Sequence, residues 1–83
     1  MHPTEQILLE NTKEYTEFAL GAFQQGKFNS ATTLYFKALV ALCDLYLFRK
    51  EGIIPSSHSQ RFKILEEKYP LLYQIVDRDF PFY

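Results

Sequence analysis

Hydrophobic positions recur at helical spacing along most of this chain. In residues 4–25, Ile7, Leu8, Tyr15, Phe18, Ala19, Ala22 and Phe23 recur at three- and four-residue steps, with Glu5, Lys13, Glu14 and Glu17 between them. That pattern predicts one amphipathic helix, with Thr4 after Pro3 as its expected N-cap. The run Gln25-Gly26-Lys27-Phe28-Asn29 then interrupts it. Gly26 can take the left-handed conformation that ends a helix, and Asn29 or Ser30 can cap a second one. So short a turn makes the two helices antiparallel, and Ala19, Ala22, Ala31 and Ala38 are small enough to let their axes approach closely.

The second helix, predicted over 29–50, is apolar around most of its circumference. Ala31, Leu34, Tyr35, Ala38, Leu42 and Leu45 form one stripe, and Phe36, Val40, Cys43 and Leu47 form another; Thr33, Lys37 and Asp44 remain as a thin polar seam. Such a helix is covered on more than one side. The first helix, the third helix and a partner subunit are expected to cover it, with Phe36, Val40, Cys43 and Leu47 as the expected contact with the partner.

Gly52 ends this helix, and Pro55 keeps the chain from resuming it. Ser57-His58-Ser59-Gln60 has the spacing of a capping box and opens a third helix, 58–68, that should bury Phe62, Ile64 and Leu65. Pro70 divides it from a short fourth segment, 70–78. The chain closes on Asp79-Phe80-Pro81-Phe82-Tyr83, an apolar cluster with nothing after it. Phe80 and Phe82 therefore join the expected interface, unless a further helix follows in a longer parent chain. No strand pattern or internal repeat is evident. The expectation is an all-α fold: a small up-and-down antiparallel helical bundle in one domain, 1–83, complete or the first part of a four- or five-helix domain.

Composition changes this picture little. At 83 residues a single core is only marginally sufficient, yet 47% hydrophobic residues place the chain well away from disorder. A net charge of -1 gives no electrostatic footprint for a nucleic-acid duplex or an anionic membrane. The single cysteine, Cys43, rules out an intramolecular disulfide and any Cys-pair metal site. No leader pattern opens the chain, and no window reaches 18 uninterrupted apolar residues. A cytoplasmic protein with no membrane partner is expected.

Candidate chemistry gathers around the loop before the third helix. His58 is either a general base or RNA-contacting group, or a first-turn residue filling a polar niche. The second reading is favoured, because no orienting carboxylate is obvious nearby. Arg49, Lys50, Arg61 and Lys63 flank the same loop. With the free N–H groups of a helix start they could hold a phosphate, although solvated charges explain them more simply. The candidate binding set is Arg49, Lys50, His58 and Arg61. Lys37 and Asp44 form a recognition surface or simply face water, and Cys43 reads as a small core residue. With no phosphate loop, carboxylate pair or metal-ligand cluster, no catalytic residue, metal or cofactor is expected.

Residues 18–65 resemble the first half of a HEPN domain, the helical family of prokaryotic toxin–antitoxin pairs and minimal nucleotidyltransferase partners. The resemblance lies in Gly26-Lys27-Phe28, in Ala31, Tyr35 and Ala38-Leu39, and in Gly52, Pro55 and His58. It implies a bundle that usually dimerises and, in active members, an RNase using an Arg-x(4–6)-His motif on a later helix. Here Arg49 and His58 have eight residues between them, and no Arg–His pair follows Arg78. The resemblance therefore implies a non-catalytic binding module, a homodimer that engages RNA, a nucleotide or a partner nucleotidyltransferase; otherwise a catalytic motif lies outside this chain. Gly26, Phe28, Ala31, Tyr35 and Ala38 also resemble one tetratricopeptide-like hairpin, which would imply a protein-interaction adaptor. The long second helix and the absence of a second copy speak against that family.

Overall fold

A computed structural model of the chain describes residues 2–79. Its four helices are α1 (Pro3–Gln24), α2 (Phe28–Glu51), α3 (His58–Lys68) and α4 (Pro70–Asp79), with no strand among the described residues. The all-α expectation is met. Phe80 and Phe82 lie outside the described residues.

The helix ends follow local chemistry, with two departures from the expected caps. His2, rather than Thr4, caps α1: its Nδ1 accepts the Thr4 N–H at 3.0 Å, and its ring lies 5.1 Å from that of Phe48. Pro3 thereby occupies the first helical position, where its missing N–H costs nothing. At the other end the Lys27 N–H reaches Ala22 O at 2.8 Å and the Gly26 N–H reaches Phe23 O at 3.0 Å. This is a Schellman closure, and its left-handed residue is Gly26, with φ 76°. The closure runs so directly into α2 that Lys27 becomes the N-cap, with no side-chain hydrogen bond. Asn29 and Ser30 are already inside the helix. Gly52, at φ 70°, ends α2 as its spacing predicts.

Ser57 caps α3 by accepting the Gln60 N–H at 3.1 Å. The reciprocal half of the capping box is displaced by one residue: Gln60 Oε1 accepts from the Ser56 N–H at 2.6 Å and from Ser56 Oγ at 2.9 Å. Tyr69 alone separates α3 from α4, its N–H bonded to Leu65 O and its carbonyl accepting from Tyr73. Pro70 excludes the helical conformation at Tyr69 and so sets the corner.

Packing assigns each side of α2 a different neighbour. On the side of α1 lie the buried Ala31, Ala38, Ala41 and Leu45, facing the fully buried Ala19. At 100° per residue the opposite side carries Phe36, Cys43 and Leu47, which form the core with Leu65 of α3 and Val76 of α4. This corrects the expected interface. Phe36, Cys43 and Leu47 are buried, and Val40 packs on the same cluster, because α3 and α4 fold back onto this stripe. By length and composition α2 could cross a membrane, with a mean hydropathy of 1.4 over its best window; in this fold it is the central helix between α1 and the α3–α4 pair. Two flanks remain between those neighbours. One carries Lys37 and Asp44, the other Phe28, Tyr35, Leu42 and Tyr46.

Candidate functional site

The polar flank of α2 opens into a cavity of about 380 Å³, between α1, α2 and the start of α3. At its base Asp44 meets Arg61. The carboxylate accepts two bonds, from Nε at 2.7 Å and from Nη2 at 2.9 Å, the fork-on-fork geometry that only arginine offers. Each side chain is only 9% exposed. One acidic residue in the middle of a largely apolar helix needs a countercharge, and α3 supplies it from its second turn.

Arg61 has a further N–H to give. Its Nη1 lies 3.0 Å from His58 Nδ1. A guanidinium only donates, so Nδ1 is the acceptor, and the neutral ring carries its proton on Nε2. The ring also lies beside Phe62 at 6.4 Å and Phe36 at 6.3 Å. His58 is thus held by a relay from a carboxylate seventeen and fourteen positions away in the chain from Arg61 and itself, Asp44, acting through the guanidinium.

Other groups line the mouth. Lys37, two turns before Asp44, extends its ammonium over the Tyr15 ring at 5.9 Å. Asn11, Ser56 and Ser57 add polar edges, and Leu8, Val40 and Ala41 add apolar wall. Since Asp44 and Arg61 cancel, Lys37 leaves the cavity with one net positive charge. Cys43, next to Asp44 in sequence, points into the core instead. Burial, reinforced by the Asp44 charge, pushes its thiol up to about 11, so it is no nucleophile near neutral pH.

The four candidate binding residues do not converge. His58 and Arg61 line the cavity, and Arg61 is buried rather than solvated. Arg49, about half exposed, pairs with Glu5 on α1 at 3.2 Å. The Lys50 ammonium lies 5.8 Å from the centre of the Tyr46 ring. Asp44 likewise does not face water; only Lys37 of the seam remains exposed. The orienting carboxylate that was not obvious near His58 in sequence is Asp44.

A second polar cluster ties the end of α2 to the end of α3. Glu51 accepts from Tyr69 Oη at 2.8 Å and from Lys68 Nζ at 3.3 Å. The tyrosine bond, then the lysine bond, hold the Glu51 carboxyl below its usual range. The same bond pushes the Tyr69 phenol up to about 12. This cluster is partly exposed and reads as a clasp between helices. Among the described residues no group of three or more His, Cys, Asp and Glu could hold a metal ion. Comparison with protein-family models, curated proteins and solved structures finds no match to this chain.

Proposed function

We propose that this chain is a HEPN-like, non-catalytic binding module that works as a homodimer and takes an anionic group, the phosphate of an RNA or nucleotide, in the cavity beside α2. The observation that carries this reading is the Asp44–Arg61–His58 chain. It holds the His58 ring with Nδ1 accepting, in a cavity that Lys37 also lines. A general base needs an available lone pair, and in the neutral ring Nδ1 has already spent its own on Arg61. The arrangement therefore supports binding over RNase chemistry. A partner nucleotidyltransferase is the protein that the sequence resemblance suggests, and the exposed apolar flank of α2 supports some protein contact.

Titrating the ¹⁵N-labelled chain with a short single-stranded RNA, and separately with a nucleoside monophosphate, tests the reading. The amide signals of Lys37, Ser57 and His58 should shift together at low salt. Lys37→Ala should weaken binding about tenfold, the effect of one charge-assisted hydrogen bond, while Arg49→Ala should change nothing. Shifts centred on Arg49 and Lys50, or none at all, would overturn it.

A further inference from the structure

We infer that the apolar flank of α2 is where a second copy of this chain docks, leaving both cavities open on the outside of the dimer. This rests on the homodimer reading above and places its surface away from the stripe that the sequence suggested. Phe28, Tyr35, Leu42 and Tyr46 are 60%, 42%, 50% and 38% exposed. They lie along one side of the helix, beside Phe23 of α1, whose ring meets that of Phe28 edge-on at 5.7 Å. At the other end the flank runs into a largely apolar depression that Leu39, Leu42 and Tyr46 share with Leu72 of α4 and with Arg49, and then reaches Leu71, 75% exposed.

Area, spacing and charge all select a second copy. With about 200 Å² for each large side chain, the exposed parts of these residues amount to roughly 600 Å². That is at the upper limit of the largest patch on a monomer, and a stable interface takes about 800 Å² per partner, polar rim included. Tyr35, Leu39, Leu42 and Tyr46 follow one another at steps of four, three and four, the seam of a helix that packs against another helix. Between Phe28 and Leu47 the only charged side chains are Lys37 and Asp44, both on the opposite flank. Arg49, which lines the depression, and Lys50, over the Tyr46 ring, lie beyond that stretch, and a two-fold axis near Leu42 sets the two copies' Arg49 residues about 20 Å apart along the helix at a rise of about 1.5 Å per residue.

Sedimentation velocity of the full chain at about 100 μM tests the surface. The unmodified chain should sediment as a dimer. Leu42→Glu should raise the dissociation constant about thirtyfold or more, as loss of a central anchor does, with its circular dichroism unchanged because the position is half exposed. Tyr35→Lys provides an independent variant should Leu42→Glu fail to fold. Phe18→Glu, on the cavity-side flank of α1, should leave the dimer intact. A dimer indifferent to both α2 variants would overturn the surface while sparing the dimeric reading. An unmodified chain that stays monomeric would overturn both.

Discussion

The two flanks of α2 differ in how completely the chain satisfies them. On the polar flank Asp44, an expensive group to bury, finds both of its bonds on Arg61 at 2.7 and 2.9 Å, and no buried side-chain polar atom is left without a partner among the described residues. On the other flank Phe28, Tyr35, Leu42 and Tyr46 remain substantially exposed. A single helix thus divides what the fold needs internally from what it presents outward. Buried charge is confined to one side because it must be neutralised there. The other side carries charge only at the end of the helix, in Arg49 and Lys50, which suits association and does little for the isolated chain.

The sharpest way to break this contrast is to remove one member of the ion pair. Asp44→Ala leaves a buried guanidinium without its carboxylate and should cost about 3–5 kcal/mol, much of the stability of so small a domain. Urea denaturation should show this, with Asp44→Leu combined with Arg61→Met recovering most of the loss. A cost under about 1 kcal/mol for Asp44→Ala would mean that the pair is not desolvated as described.

Next comes a paired truncation across the helix. Leu47→Ala, in the core, should lower stability by about 3 kcal/mol. Leu42→Ala, measured at protein concentrations too low for association, should change it by less than about 1 kcal/mol. Equal losses would erase the distinction between the two apolar sides. Cys43 offers a milder check. With its thiol pushed up to about 11, it should react with a disulfide reagent at pH 8 only as fast as the chain opens, and denaturant should accelerate the reaction strongly.

The smallest effect concerns the Glu51–Tyr69 clasp. Glu51 has its folded pKa depressed, so its contribution is present above the unfolded carboxyl value and is lost as pH falls through the folded one. Tyr69 is raised from 10.0 to about 12, so its contribution is present below pH 10 and is lost as pH rises from there towards 12. Tyr69→Phe should therefore flatten the stability profile at both ends. An ultraviolet titration should show one late-ionising phenol that disappears in the same variant.

Much of the fold was legible in the sequence because its punctuation is local. Gly26 and Gly52 both take the positive φ expected of helix terminators, and Ser57 caps α3 with Gln60 as the spacing indicated. The Asn29 and Ser30 caps failed because the Schellman closure at Gly26 left no residue between turn and helix. The candidate site was less legible, since its parts come from separate elements. The signal that could have found it was Asp44 itself, one acid within a long apolar run, and Arg61, four residues before the buried Leu65 and hence on the inward side of α3. The interface stripe was misplaced for a related reason: an apolar stripe on α2 does not specify whether α3 and α4 or another chain will cover it.

The central claim is that Asp44, through Arg61, holds the His58 ring at the cavity with Nδ1 as acceptor. The ¹⁵N spectrum of the imidazole ring, recorded at alkaline pH, tests it most directly, with Arg61→Lys for comparison. The ring should show Nε2 protonated and Nδ1 bare, with that preference weakened in the variant. A ring carrying its proton on Nδ1 in the unmodified chain would contradict the relay and, with it, the binding role assigned to this site.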